Sequence, residues 1–398
     1  MVEIKDKELC CGCTACVEAC PKSCIKMHED EEGFLYPIAN PKDCISCGLC
    51  EKVCPILNRE KKGKRPITVW AAYTLDEDIR KNSSSGGAFY SIASYVIRQG
   101  GVVFGTKYNN HWGAEFSYAE TIEGLKALMV SKYVQSEVGT AYKDCEAFLK
   151  KNRNVLFAGT SCQISGLKHY LRHSYDNLVT IEIICHGVPS PRVWQMYLDE
   201  ISGEKGADIK ERKQIEQISF RRKDPSWDKF NMYISFTDKE NETINTYHLE
   251  NTYMKAFVHN LILRPTCYHC KFREGRAGAD ITIADYWGVV KFHPHFNDDK
   301  GTSLIMVGTN KGLEIINQLS LYKEKSSYKK AVYCNPAIAH SHTKHKKREY
   351  FFSNYMKEDS LSFFINDCLE TSKCDQYKTS VRSYLNRVVK KLVFYFGK

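Results

Sequence analysis

Two copies of one cysteine pattern near the start of the chain leave little freedom in what can form there. Cys10, Cys13, Cys16 and Cys20 are followed by Pro21, and Cys44, Cys47, Cys50 and Cys54 by Pro55, so both copies read C-x2-C-x2-C-x3-C-P without a gap. Three thiolates on a tight loop can wrap three irons of a cubane while the fourth points away. In a doubled motif that fourth cysteine ligates the other cluster. The expected ligand sets are therefore crossed. Cys10, Cys13, Cys16 and Cys54 hold one 4Fe-4S cluster, and Cys44, Cys47, Cys50 and Cys20 hold the second. Gly12 and Gly48 relax the backbone where it must approach sulfide. A pair of zinc sites or a disulfide framework would need neither the ungapped doubling nor both prolines. Cys11 and Cys24 read as small apolar packing residues.

Ten of the 18 cysteines lie in the first 56 residues. In a reducing compartment such a number is spent on metal or clusters rather than on disulfides. The first residues have no apolar signal core and no run of 18 apolar residues exists, so a cytoplasmic protein is expected, neither secreted nor membrane-spanning. The net charge of +10 raises the possibility of nucleic-acid binding. Two or three clusters at roughly −2 each offset about half of that excess. Outside the C-terminal tail, basic residues do not cluster with interleaved aromatics, and nucleic acid is not an expected partner.

After a polar, basic linker at residues 58–66 the pattern changes to alternating strands and helices. Strands are expected at residues 102–104, 155–158, 178–184, 279–284 and 304–307, with helices around residues 89–97 and 193–201 between them. This alternation predicts an α/β domain with a mostly parallel sheet flanked by helices. Two or three strand-like runs between residues 218 and 247 predict an antiparallel addition. The expected organisation is an α+β two-cluster module at residues 1–57 (motifs at 1–30 and 35–57), the linker, an α/β domain in two parts at 67–150 and 151–325, and a basic C-terminal tail at 326–398.

Four further cysteines stand at chemically suggestive places. Cys162 opens a helix after the strand at 155–158, and Cys185 follows the strand at 178–184. Both would lie at carboxyl ends of parallel strands, where open α/β sheets bind ligands. Cys267 and Cys270 form a C-x2-C pair. Together the four could hold a third cluster, hold zinc, or stay unligated. Cys145, Cys334, Cys368 and Cys374 have no partner spacing and read as packing residues.

No G-x-G-x-x-G follows a strand, and no Walker motif is present. The best phosphate candidate is Ser84-Ser85-Gly86-Gly87, whose residues open a helix and free its first N–H groups. Lys132 is a second candidate, as a point charge. Arg221 and Lys223, after the strand ending at Phe220, could meet an anionic substrate. His186 and Asp285 stand near the expected crevice and could carry the proton that accompanies electron transfer. The bland alternatives are a capped helix without ligand, exposed surface charges and a structural histidine.

Several ordered stretches then add up to a family resemblance. They are Asp30-Glu31-Glu32-Gly33-Phe34-Leu35-Tyr36-Pro37, Ser83-Ser84-Ser85-Gly86-Gly87-Ala88-Phe89, Ser131-Lys132-Tyr133-Val134-Gln135-Ser136, Gly159-Thr160-Ser161-Cys162-Gln163, Cys185-His186-Gly187-Val188-Pro189-Ser190-Pro191, the Cys267–Cys270 pair, and Asp280-Ile281-Thr282-Ile283-Ala284-Asp285-Tyr286-Trp287-Gly288. Over roughly residues 1–295 the chain resembles the coenzyme F420 hydrogenase/dehydrogenase beta-subunit family in a form fused to a two-cluster ferredoxin domain. The resemblance implies an FAD-bearing domain that also holds a 4Fe-4S cluster, with Cys162, Cys185, Cys267 and Cys270 as its ligands. It adds Tyr133 and Thr160 to the cofactor contacts. It also implies hydride exchange between flavin and a deazaflavin or another organic substrate, with a protein such as ferredoxin as electron donor or acceptor. The first expectation is thus an iron–sulfur flavoenzyme. The second is a non-catalytic electron-transfer subunit serving a partner enzyme.

Two basic segments remain. The stretch from His340 through His342 and His345 to Arg348 reads as a solvated loop. Val381, Tyr384, Leu385, Val388, Val389, Leu392 and Phe396 form one helical stripe with Arg382, Arg387, Lys390 and Lys391 largely off it. Such a basic amphipathic helix could dock on a protein or lie on an anionic membrane.

Overall fold

The computed structural model describes residues 3–60, 62–203, 213–237, 242–296 and 298–370. The amphipathic stripe at 381–396 and Cys374 lie outside the described residues. Among the described residues no helix is long and apolar enough to cross a membrane.

The strands run β1 (Ile25–Glu29), β2 (Leu35–Ala39), β3 (Thr68–Thr74), β4 (Val102–Tyr108), β5 (Ala114–Ala119), β6 (Val155–Thr160), β7 (Leu178–Ile183), β8 (Ile215–Arg222), β9 (Asn231–Phe236), β10 (Thr243–Tyr247), β11 (Ile281–Asp285), β12 (Ser303–Val307) and β13 (Leu321–Lys325). The cysteine module adds to the β1–β2 hairpin two one-turn helices, Ala15–Glu18 and Leu49–Lys52, one after each cysteine loop. The main sheet has eight strands in the order β13-β3-β12-β11-β7-β6-β4-β5.

The expectation of a mostly parallel sheet needs correcting. Only the central run β11-β7-β6-β4 is parallel, while β5 on one flank and β12, β3 and β13 on the other pair antiparallel. On the β5 flank the reason is local. Asn109 Oδ1 accepts from the N–H of His111 and of Gly113, closing a tight turn between β4 and β5, and a tight turn can join only antiparallel neighbours. β6 and β12 are buried along nearly their whole length, which explains their unbroken apolar sequences. The expected antiparallel addition is a separate three-stranded sheet, β10-β9-β8.

Helices cover both faces of the parallel run. Ala88–Arg98 packs Ile92, Ala93 and Val96 on one face. Ala141–Lys150 and Ser161–Leu171 cover the other with Tyr142, Cys145, Ile164 and Leu167. The cysteine module joins this core directly. Cys11, Cys13, Ala15, Val53 and Ile56 share one apolar cluster with Tyr142, Phe157 and Leu167. Phe34, fully buried, belongs to a second cluster with Trp194 and Tyr253, and burial of such a ring contributes roughly 1.5–3 kcal/mol. The module is therefore built into the α/β domain.

The basic segment also departs from its expectation. Arg348 is buried and pairs with Glu32 (Nη2–Oε2 2.5 Å), which ties the helix Arg348–Asn354 to the cysteine module. Residues 326–370 fold back on the domain, burying Phe351, Phe364 and Ile365, because their apolar residues recur at helical spacing.

Candidate functional site

Both cysteine loops repeat one backbone device. Gly12 and Thr14 have φ of +69° and +60°, and the equivalent Ser46 and Gly48 have +54° and +69°. Two left-handed residues per loop curl the chain so that its cysteines ring a cavity. Cys10, Cys13, Cys16 and Cys54 line the inner one. Cys20, Cys44, Cys47 and Cys50 line the outer one, with Cys24 Sγ 3.4 Å from Cys20 Sγ. The crossed sets thus gather as two groups, and the one-turn helices that follow the two loops touch each other. Cys47 is exposed at the outer end. Burial, with Cys10 and Cys54 nearby, pushes the Cys16 thiol up to about 12, so its thiolate form needs a cation, as iron would supply. Among the described residues no group of three or more His, Cys, Asp or Glu could hold a single metal ion. The sulfurs ring cavities instead of converging on a point, which suits a cubane.

A third cysteine group forms at the carboxyl ends of β6 and β7. Cys162 sits in the first turn of the helix after β6, beside Thr160 Oγ1 at 3.3 Å. Cys185 follows β7, and Cys267 lies in the 3-10 turn Pro265–His269 with Cys270 just beyond. All four line one cavity, and Cys11 of the N-terminal module is a fifth. Cys11 faces Cys162 in this cavity and holds the Cys162 thiol above its ordinary value. Burial pushes Cys267 up to about 12. Buried Arg273 donates to the carbonyls of Cys185 (3.1 Å) and His186 (3.2 Å), and the Cys270 N–H donates to Ser341 Oγ (3.1 Å). Gly166 lets the inner cysteine loop approach the helix Ser161–Leu171, since a Cβ there would lie 2.7 Å from Tyr142 Oη and 3.0 Å from Cys13 Cβ.

Beside this cavity lies an open cleft of about 260 Å³, just below the usual range for small-molecule sites. Ser84, Ser85, Gly87, Lys132, Tyr133, Thr160, His186 and Asp285 line it. The cleft and the third cysteine cavity share Thr160, Ile184, Cys185, Gly187 and Val188 as a wall. Gly87 begins the helix Ala88–Arg98 with φ +85° and no side-chain cap, so the first N–H groups of that helix are available to an anion. Burial lowers the Lys132 pKa to about 7, and its Nζ donates to the carbonyls of Met129 (2.8 Å) and Val130 (3.2 Å). An uncapped helix start and a half-buried lysine that pairs with no carboxylate among the described residues form a donor set that fits a pyrophosphate.

Three expected contacts stand apart from the cleft. Gly86 is not in the cleft wall, because its N–H is bonded to Ser303 Oγ (3.0 Å). Lys223 points into protein, where Nζ donates to the carbonyls of Arg80 (2.6 Å), Ser85 (2.6 Å) and Lys300 (2.7 Å). Arg221 lies behind the cleft. It makes a two-pronged ion pair with Asp285 (3.0 and 3.1 Å) and donates to Ser84 O (2.9 Å) and Tyr133 Oη (3.2 Å). Burial works against that charge, and Asp285 more than restores it, holding the guanidinium above its ordinary value. His186 Nε2 donates to Asn260 Oδ1 (2.6 Å), and its ring stacks on His342 at 3.7 Å. Burial lowers the His186 pKa to about 4, which keeps the ring neutral at pH 7.

Sequence reasoning gave Cys11 only a packing role and His342 a place in a solvated loop, and it passed over Arg264 and Arg273. The position of Cys11 beside a motif cysteine and the Arg264-Pro265-Thr266-Cys267 context were available signals. Nothing in the sequence places His342 against His186.

The family model "Coenzyme F420 hydrogenase/dehydrogenase, beta subunit N-term" matches residues 69–143, and its C-terminus counterpart matches residues 152–329. The chain belongs to the coenzyme F420 hydrogenase/dehydrogenase beta-subunit family. A 4Fe-4S dicluster domain model matches residues 9–57, so this family member also carries an iron–sulfur electron-transfer domain. A ferredoxin of Mycolicibacterium smegmatis is 40% identical over 55 residues, covering 14% of this chain and 41% of that protein. A subunit of the F(420)H(2) dehydrogenase of Methanosarcina mazei is 21% identical over 195 residues, covering 46% of this chain and 54% of that one. The chain thus spans about half or less of the length of these relatives. A chain of the F420-reducing NiFe hydrogenase complex from Methanosarcina barkeri aligns with a TM-score of 0.46 and 14% identity, over 76% of this beta-subunit family member and 96% of that chain.

Proposed function

We propose that this chain is an iron–sulfur flavoprotein oxidoreductase that passes electrons between its ferredoxin-type clusters and an FAD in exchange with a deazaflavin or another organic hydride carrier. The observation that carries this reading is the continuity of the sites. The third cysteine cavity shares Cys11 with the inner N-terminal cavity and shares Thr160, Cys185 and Val188 with the cleft. Cys10, Cys13, Cys16 and Cys54 hold the inner 4Fe-4S cluster, Cys44, Cys47, Cys50 and Cys20 the outer one, and Cys162, Cys185, Cys267 and Cys270 a third.

FAD, when bound, supplies the two-electron hydride chemistry that clusters alone lack. Ser84, Ser85, Gly87, Lys132, Tyr133 and Thr160 are the residues that would hold it. Arg221 positions two of them through Ser84 O and Tyr133 Oη, and Asp285 holds Arg221. His186 is the proton carrier of the cleft, fixed by Asn260. The exposed end at Cys47 receives a protein partner of the ferredoxin kind, and residues 67–325 act as one cofactor domain.

The test separates the two ends of the path. Replacing Cys47 by Ser should slow reduction of the bound flavin by a reduced ferredoxin and leave its reduction by a hydride donor unchanged. Equal rates of ferredoxin-driven reduction in both proteins, or no flavin binding at all, would contradict the proposal.

A further inference from the structure

Among the described residues five arginines are buried, at positions 80, 221, 264, 273 and 348. Arg80 pairs with Asp298, Arg221 with Asp285 and Arg348 with Glu32. Among the described residues no carboxylate pairs with Arg264 or Arg273, and both lie against cysteine cavities. A buried charge without a partner costs several kcal/mol, so a missing counter-charge has to be sought nearby.

Arg264 is the more deeply enclosed, with no exposure at all. It comes from the α/β domain, yet most of its contacts are in the cysteine module. Nε donates to Cys10 O (2.8 Å), and Nη2 donates to Leu35 O (3.0 Å) and lies 3.7 Å from Cys10 Sγ. The guanidinium stacks over the Tyr36 ring at 4.1 Å, and Nη1 donates to Gln135 Oε1 (3.0 Å). Gly12 leaves room for this, since a Cβ there would meet Gln135 Nε2 at 2.6 Å and Arg264 Nη1 at 2.9 Å.

We propose that Arg264 is the charge partner of the inner N-terminal cluster, raising its reduction potential and binding the cysteine module to the α/β domain. This rests on the inner cluster of the reading above. An oxidised 4Fe-4S cluster with four thiolates carries roughly −2, and one electron from an iron–sulfur protein donor makes it roughly −3. A fixed positive charge against Cys10 Sγ favours the more negative state. Arg264 is thus a positioning residue, and its effect on potential is distinct from its effect on shape.

The experiment compares Arg264→Gln and Arg264→Lys in the full chain, purified anaerobically. Both lose the guanidinium fork, and only Lys keeps the charge. Iron is counted first, then each cluster potential is read by an EPR-monitored redox titration. The Gln variant should show at least a tenfold weaker reduction equilibrium at the inner cluster, which is about 59 mV for one electron. The Lys variant should lie closer to wild type, and the outer cluster should not move. Loss of about four irons from the Gln variant alone would also support the proposal, because charge and not shape separates the two proteins. An unchanged inner potential with iron intact, or equal iron loss from both variants, would overturn it. A wild-type protein without the two N-terminal clusters would sink the underlying reading and this role with it.

Discussion

Replacing Asp285 by Asn separates a structural carboxylate from a catalytic one. Asn keeps the shape and removes the charge, so no cavity forms. The Arg221 side chain is 2% exposed and that of Asp285 is 19% exposed, so solvent screens the pair weakly. Two bonds to a carboxylate at 3.0 and 3.1 Å would become at most one bond to an uncharged amide oxygen. Besides that oxygen, Arg221 would keep Ser84 O and Tyr133 Oη as acceptors, between Phe230 (4.1 Å) and Trp287 (5.0 Å). Breaking a buried pair costs about 3–5 kcal/mol. The partial exposure of Asp285 puts the expected loss near the lower end, about 3 kcal/mol. Urea unfolding of the cluster-free protein, followed by tryptophan fluorescence, measures it. Because Arg221 also anchors Ser84 and Tyr133, FAD affinity should fall together with stability. A variant within about 1 kcal/mol of wild type would refute this reasoning, since losses that small belong to exposed pairs.

Two further outcomes follow from the cleft and its neighbouring cavity. Lys132, lowered to about 7 by burial, is charged below that value and neutral above it, so affinity for anionic FAD should fall as pH rises through about 7. Flavin-fluorescence titrations should show this slope in the wild type and a flat profile in Lys132→Met. Cys185→Ser should lower iron by about four per chain, while Cys11→Ser should keep it, as iron assays on anaerobic samples would reveal. Loss of four irons from the Cys11 variant would make Cys11 a ligand.

The sequence made some of this legible for identifiable reasons. A motif with fixed spacing states its own geometry, which is why the crossed grouping of Cys20 with Cys44, Cys47 and Cys50 could be written down before any coordinates. Unbroken apolar runs such as residues 155–158 announced buried parallel strands. The flanks were harder, because β3, β12 and β13 pair across long separations and strand direction leaves no trace in local composition. The placement of Cys11 against Cys162 is a contact between modules, and spacing along the chain does not encode it. The segment carrying His342 and Arg348 looked solvated because charge was weighed without its partners, Glu32 and the His186 ring. Lys223 and Gly86 looked like ligand contacts for a similar reason, their backbone and hydroxyl partners being remote in sequence.

The central claim is that one chain holds three clusters and a flavin. Quantifying iron, acid-labile sulfide and FAD on one anaerobically purified sample tests it most directly. The account predicts about twelve irons, as many sulfides, and one FAD per chain. About eight irons with no FAD, even after reconstitution, would contradict it and leave a two-cluster electron carrier fused to a docking domain.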